Sequence, residues 1–249
     1  MSWDRLFRGG AMLLQLWWKT MNRPKIWIAL DVPARGDAES LMNKFSSHRQ
    51  FKVGLELFTA IGPGPVIEWI RQGWEIFLDL KLHDIPHTVS RAINRIEEMG
   101  VSLTTVHATG GMAMIEALSR EQLAIVGVTL LTSLSTDDIH QMGITGTSQD
   151  FVINAAQRCK HAGLDGVVAS LDETPRIREL WPESRIVVPG IRWGAAVPGD
   201  DQERIATPQQ AVLAGATDLV IGRSLIGRPD VVQAYQELMA MVESVSEER

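Results

Sequence analysis

The sequence predicts an α/β fold, a single-domain (β/α)8 TIM barrel, on three observations. Short β-like runs alternate with helix-period segments from residue 25 onward, as in a parallel sheet of βαβ units. The chain has 249 residues, the usual size of one closed eight-fold barrel. No Gly-x-Gly-x-x-Gly follows the first strand run, which weighs against an open dinucleotide-binding sheet. In order, the strand candidates are Ile26–Asp31, Phe51–Gly54, Glu75–Lys81, Leu103–His107, Leu123–Thr129, Gly166–Ser170, Ile186–Pro189 and Asp218–Ile221. Between them lie helical patterns such as Ala38–Ser46, Pro63–Arg71, Thr88–Met99, Gln149–His161, Pro208–Leu213 and Asp230–Val245. Gly190–Gln202, rich in Gly, Ala, Pro and Asp, is the longest irregular stretch and reads as a lid over a barrel mouth.

Residues 1–24 stand apart as an N-terminal extension, with residues 25–249 as the catalytic barrel. The apolar run Ala11–Trp18 is about half the length that spans a bilayer. It lacks the basic start and small-residue cleavage site of a signal peptide, so Met21 is a candidate true start. With no membrane segment and one cysteine, Cys159, an internal disulfide and a multi-cysteine metal site are excluded, and a reducing cytoplasm is expected. Net charge is −6 and the isoelectric point near 5.5, which argues against a nucleic-acid or anionic-membrane partner. An anionic substrate would then need a local cluster of Lys and Arg.

The segment Glu75–Thr88 reads EIFLDLKLHDIPHT. Alternation sends Ile76, Leu78, Leu80 and Leu82 toward the outer helices, and Phe77, Asp79 and Lys81 into the barrel. Charges at the C-terminal end of a barrel strand read as catalytic. Asp31 ends the first run, Lys52 sits inside the second, and Asp84 follows Lys81 where strand gives way to loop. Barrel closure would gather these acids and bases at one rim. Flanking carboxylates favour the ammonium form of Lys81, which suits a general acid and not a Schiff-base amine. A second constellation follows the last two runs: Arg192 in VVPGIRW, and Gly222-Arg223 in LVIGRSL. Barrels frequently bind phosphate there, with glycine admitting the anion and arginine pairing with it.

His83–His87, HDIPH, looks like the zinc-protease H-E-x-x-H, but Pro86 starts a helix and leaves His83 outside it. His107 either lines the rim or packs. His48, His140 and His161 read as surface residues. The eight tryptophans read as packing, with Trp193 in the expected lid.

DLKLHDIPHT closely resembles the signature of the orotidine 5′-phosphate decarboxylase family, usually D-x-K-x-x-D-I-P-N-T. The resemblance continues through IALDVP (Ile28–Pro33), FKVGLELF (Phe51–Phe58), VHATGG (Val106–Gly111), VTLLTSL (Val128–Leu134), PGIR (Pro189–Arg192), GDDQERIATP (Gly199–Pro208) and VIGRSL (Val220–Leu225). It implies a barrel that homodimerises with shared active sites, uses no metal or organic cofactor, and converts orotidine 5′-phosphate to UMP and carbon dioxide. It implies that Lys81 protonates C6 of the pyrimidine, with Asp79 near the departing carboxylate and Lys52 and Asp31 on the ribose side. Asp84 and Thr88 are implied to reach across the dimer, Thr132 and Ser133 to meet the base, and Gln202, Arg192, Gly222 and Arg223 to hold phosphate and lid. Two departures stand out: His87 in place of the usual Asn, and Ala169 where many members have Cys. Two other readings stay open at this point. The magnesium-dependent 3-keto-gulonate phosphate decarboxylases and hexulose phosphate synthases share D-x-K-x-x-D, and a silent nucleotide-binding sensor would keep the fold alone.

Overall fold

The strand runs are apolar on both faces, which suits a parallel sheet covered inside and out. In the computed structural model, which describes residues 24–45, 47–193 and 206–247, eight parallel strands close into a barrel in chain order. They are β1 (Lys25–Ala29), β2 (Gln50–Gly54), β3 (Glu75–Leu82), β4 (Leu103–His107), β5 (Ala124–Val128), β6 (Gly166–Val168), β7 (Arg185–Val188) and β8 (Asp218–Ile221). All eight expected strands are present, with ends that differ by up to two residues. The helices are α1 (Arg35–Lys44), α2 (Leu55–Ile61), α3 (Pro63–Arg71), α4 (Pro86–Glu98), α5 (Met112–Glu116), α6 (Thr136–Gln141), α7 (Ser148–His161), α8 (Thr174–Leu180), α9 (Pro208–Ala214), α10 (Arg223–Ile226) and α11 (Val231–Glu247). The expected extension lies outside the described residues apart from Pro24, as does the expected lid from residue 194 to Gln202. Among the described residues no helix is long and apolar enough to cross a membrane.

Strand alternation divides the core into two shells. Outward residues such as Ile28, Phe51, Val53, Ile76, Leu78, Ile125 and Leu219 pack under the helices. The helices answer with single stripes: Val89, Ile93 and Ile96 on α4, and Val152, Ala155, Ala156 and Cys159 on α7. Each large aliphatic buried this way stabilises the fold by about 1.5–3 kcal/mol. The Cys159 thiol, pushed up to about 12 chiefly by burial, is a packing group.

Inside the barrel the layers differ in chemistry. The middle is apolar: Trp27, Phe77, Leu103, Val126, Val187 and Val220, with Trp27 edge-on to Phe77 at 5.6 Å between ring centroids. Toward the N-terminal ends a polar layer closes the floor. Lys25 pairs with Glu75, Gln50 donates to Glu75, and Asp218 accepts from both Arg185 and the Trp27 indole. These inward charges are paired with one another, which offsets the cost of burying them. Toward the C-terminal ends the inward positions carry the site.

His48 corrects the reading that placed it on the surface. It is buried, with Nε2 donating to the Gln50 carbonyl at 2.7 Å and Nδ1 accepting from the Tyr235 hydroxyl at 3.0 Å. Burial, partly offset by the carbonyl bonds, lowers its affinity for a proton below the ordinary 6.5. His107 is lowered too. Below pH 6.5 the unfolded chain therefore takes up protons that the folded chain refuses, and stability falls on acidification. The thermal midpoint should drop between pH 7 and 5.5, and drop less in His48→Gln. An equal drop in both proteins would assign the proton uptake elsewhere.

Candidate active site

The C-terminal ends of β1, β2 and β3 build an alternating chain of charge. Register places Ala29 beside Lys52 and Gly54 beside Asp79, so inward side chains of these strands meet at the mouth. Lys52 Nζ lies 3.3 Å from Asp31 Oδ1 and 4.0 Å from Asp79 Oδ2. Lys81 Nζ lies 2.8 Å from Asp79 Oδ2. Asp31, Lys52, Asp79 and Lys81 thus run acid, base, acid, base, as the strand ends predict. Lys52 and Asp79 are buried, while Asp31 and Lys81 are more open. Burial alone would raise the Asp79 carboxyl. The charges of Lys52 and Lys81 and hydrogen bonds from Lys81 and Thr105 outweigh it, and Asp79 titrates below its ordinary range.

These groups line one wall of a cleft of about 220 Å³ whose floor is Phe77, Val128, Val168, Val187 and Val220. The lining continues around the mouth with Thr132, Gly190, Arg192, Gly222 and Arg223. Two loops set the arginines. Gly190 takes a left-handed φ of 73°, which turns the chain out of β7. Ser224 Oγ then donates to the Ile191 carbonyl at 2.8 Å, tying the turn after β7 to the start of α10. At Gly222 a Cβ would stand 3.1 Å from Asp31 Oδ2, so glycine lets β8 end against the carboxylate of β1.

Other expected site residues fall elsewhere. Asp84, His87 and Thr88 are exposed and do not line the cleft; Asp84 Oδ1 accepts from the Ile85 amide at 2.6 Å. Ser133 is exposed next to Thr132 and is likewise off the lining. Gln202 lies outside the described residues. Trp193, expected in the lid, is buried against the core. His83 precedes α4, whose first residue is Pro86, so the two histidines of HDIPH do not share a helix. His83 stacks on His107 at 5.3 Å, which keeps His107 at the rim and packed at once. Among the described residues no group of three or more His, Cys, Asp and Glu is arranged to hold a metal ion.

Thr105 was missed by sequence reasoning. It is fully buried on the inward face of β4, level with Asp79, and touches both members of the D-x-K pair. The available signal was positional: it is the next inward residue after Leu103, which pairs with Phe77.

A family model described as "Orotidine 5′-phosphate decarboxylase / HUMPS family" matches residues 24–238, most of the chain. The chain belongs to that family. A relative from Nitrosococcus oceani, named orotidine 5′-phosphate decarboxylase, is 42% identical over 234 residues, covering 90% of this chain and all of its own length. One from Vibrio cholerae with the same name is 42% identical, covering 85% of this chain and 96% of its own. The crystal structure of orotidine 5′-phosphate decarboxylase from Lactobacillus acidophilus superposes with a TM-score of 0.78 at 31% identity, covering 88% and 99% of the two chains. The D-x-K pair of the family's signature supplies Asp79 and Lys81 to the charged wall, and the turns after β7 and β8 bring Arg192 and Arg223 to the same cleft.

Proposed function

We infer that this protein decarboxylates orotidine 5′-phosphate to UMP, the closing step of UMP synthesis. The observation that carries the reading is the Lys81 ammonium held 2.8 Å from Asp79 above an apolar floor, in one cleft with two arginines. Arg192 and Arg223, which line the cleft beside Gly222, suit a phosphate dianion. On this reading Thr132 meets the base, and Asp31 and Lys52 the ribose. The C6–carboxylate bond breaks, its electron pair stays on C6, and carbon dioxide leaves. Lys81 Nζ stabilises that pair and then donates its proton to it. Asp79 holds the ammonium on the reacting side, and the apolar floor suits the neutral gas. Phosphate contacts far from C6 supply binding energy that the reacting carbon does not.

The assay is direct: loss of orotidylate absorbance with and without a chelator. Chelator-insensitive turnover supports this reading. Turnover of a sugar phosphate that stops on chelation would favour the magnesium-dependent branch, and no turnover of either would favour a sensor.

Asp84, Ile85, His87 and Thr88 form an exposed group beside the mouth, with Ile85 65% exposed. We propose a homodimer that covers this group and brings Asp84 and Thr88 to the neighbouring cleft. The buried lone cysteine is in keeping with a reducing cytoplasm.

Arg223→Ala should lower kcat/KM for the full nucleotide by about two orders of magnitude, the scale of losing a buried charge-assisted anion contact. Phosphite dianion should rescue a phosphate-free substrate in the wild type and much less in the variant. Equal rescue would remove Arg223 from the phosphate site.

A further inference from the structure

Lys81 is the one non-glycine residue with positive φ among the described residues, at 51°. A lysine there carries backbone strain of about 1 kcal/mol or more. The strain sits in an irregular part of β3. Phe77 and Leu78 pair with Leu103 and Thr104, but the next partner of Val106 is Leu82, so Asp79, Leu80 and Lys81 bulge past the single residue Thr105. Bulges re-aim side chains near active sites, and something must over-determine this one.

The Thr105 side chain supplies that constraint. Its Oγ1 accepts the Lys81 backbone N–H at 2.8 Å and donates to Asp79 Oδ1 at 2.9 Å. The directions are forced: an amide only donates and a carboxylate only accepts. The other carboxylate oxygen, Asp79 Oδ2, accepts from Lys81 Nζ at 2.8 Å. The three residues close a ring of hydrogen bonds that runs from Lys81 backbone through Thr105 and Asp79 to the Lys81 ammonium. Asp79 is held on both oxygens, and Lys81 is held at its backbone amide and at its ammonium. The hydroxyl is buried, so water does not replace it.

We propose that Thr105 is a positioning residue of the decarboxylation: its hydroxyl holds the left-handed turn at Lys81 and the plane of the Asp79 carboxylate, and so aims the ammonium. This rests on the reading of Lys81 and Asp79 given above.

The test compares Thr105→Val, which keeps the branched shape and loses the hydroxyl, with Thr105→Ser, which keeps the hydroxyl. Lys81→Ala is run beside them, and UMP binding is measured on all by calorimetry. For Thr105→Val, kcat should fall about 10²-fold, the usual scale for a reacting group displaced by an ångström. KM and UMP affinity should stay within about threefold of wild type, because the phosphate wall is untouched. Thr105→Ser should recover kcat to within about fivefold. The proposal is overturned if Thr105→Val keeps kcat within about threefold, if Thr105→Ser falls as far as Thr105→Val, or if KM carries the loss. Should Thr105→Val not fold, Thr105→Ala takes its place; failure of both to fold, with a soluble Thr105→Ser, makes the hydroxyl a folding determinant and also overturns it. A Lys81→Ala variant that still turns over would instead strike the underlying reading, whatever Thr105 does.

Discussion

Lys81→Ala should lose at least about four orders of magnitude in turnover, the combined scale of a general acid and of charge stabilisation at the reacting carbon. UMP affinity should change by less than about tenfold, since Arg192, Gly222 and Arg223 still line the cleft beyond β7 and β8. Two features of the structure make this substitution more than the loss of one proton donor. Asp79 keeps Lys52 only at 4.0 Å once its 2.8 Å partner is gone, and a buried carboxylate short of a cation takes up protons more readily. Alanine would also inherit the left-handed backbone at φ 51° without the side-chain bond that helps hold it. Lys81→Gly separates the effects, because glycine adopts that φ freely. Both variants should be inactive, with Lys81→Gly closer to wild type in thermal midpoint. Single-turnover decarboxylation and UMP calorimetry read the two quantities. Near wild-type turnover in either variant would show that the proton comes from another group.

The charged wall was legible in the sequence because strand alternation is a strict rule. Once Glu75–Lys81 is a barrel strand, Phe77, Asp79 and Lys81 must share the inward face. The same rule, applied at the N-terminal ends, sends Lys25, Glu75, Arg185 and Asp218 inward too, yet those residues only close the floor. Residue type and facing therefore mark an inward charge, and the end of the strand decides whether it serves chemistry or packing. Thr105 escaped notice for a related reason. A threonine in a strand reads as an ordinary β-former, and nothing in LTTVH tells a structural hydroxyl from one that clamps a bulge. The bulge itself is invisible in EIFLDLKL, because no glycine marks the left-handed residue. His48 was placed at the surface since it lies in a polar connection, SSHRQ. Its burial follows from Tyr235 on α11, far away in sequence. Thr88 entered as a site residue by resemblance alone and Asp84 also by its place just past a strand end, and in one chain both stand outside the cleft.

The exposed position of Asp84 bears directly on activity. If Asp84 serves the neighbouring cleft, each site mixes residues from two chains. Lys81→Ala and Asp84→Asn homodimers should then both be nearly inactive, and mixing them under conditions of subunit exchange should restore activity. In a mixed dimer, the Asp84→Asn chain supplies an intact Lys81 and the Lys81→Ala chain supplies an intact Asp84, which rebuilds one site. The other site carries both lesions. Random exchange of equal amounts makes about half the dimers mixed, so about a quarter of all sites are whole under two-fold symmetry. Activity should rise from near zero to roughly that fraction of wild type. The geometry motivates the sign of the effect. Lys81 lines the cleft of its own chain, whereas Asp84 is exposed three residues later, bonded only to the adjoining Ile85 amide in the hydrogen bonds described, with the Ile85 side chain turned to solvent. A neighbouring chain packed on this turn would bury Ile85, which is 65% exposed between Asp84 and the first residue of α4. Fluorescent labelling of the two variants verifies exchange independently of activity. Exchange without any gain would place Asp84 in service of its own chain, through a movement of the turn between β3 and α4, and would remove the shared site.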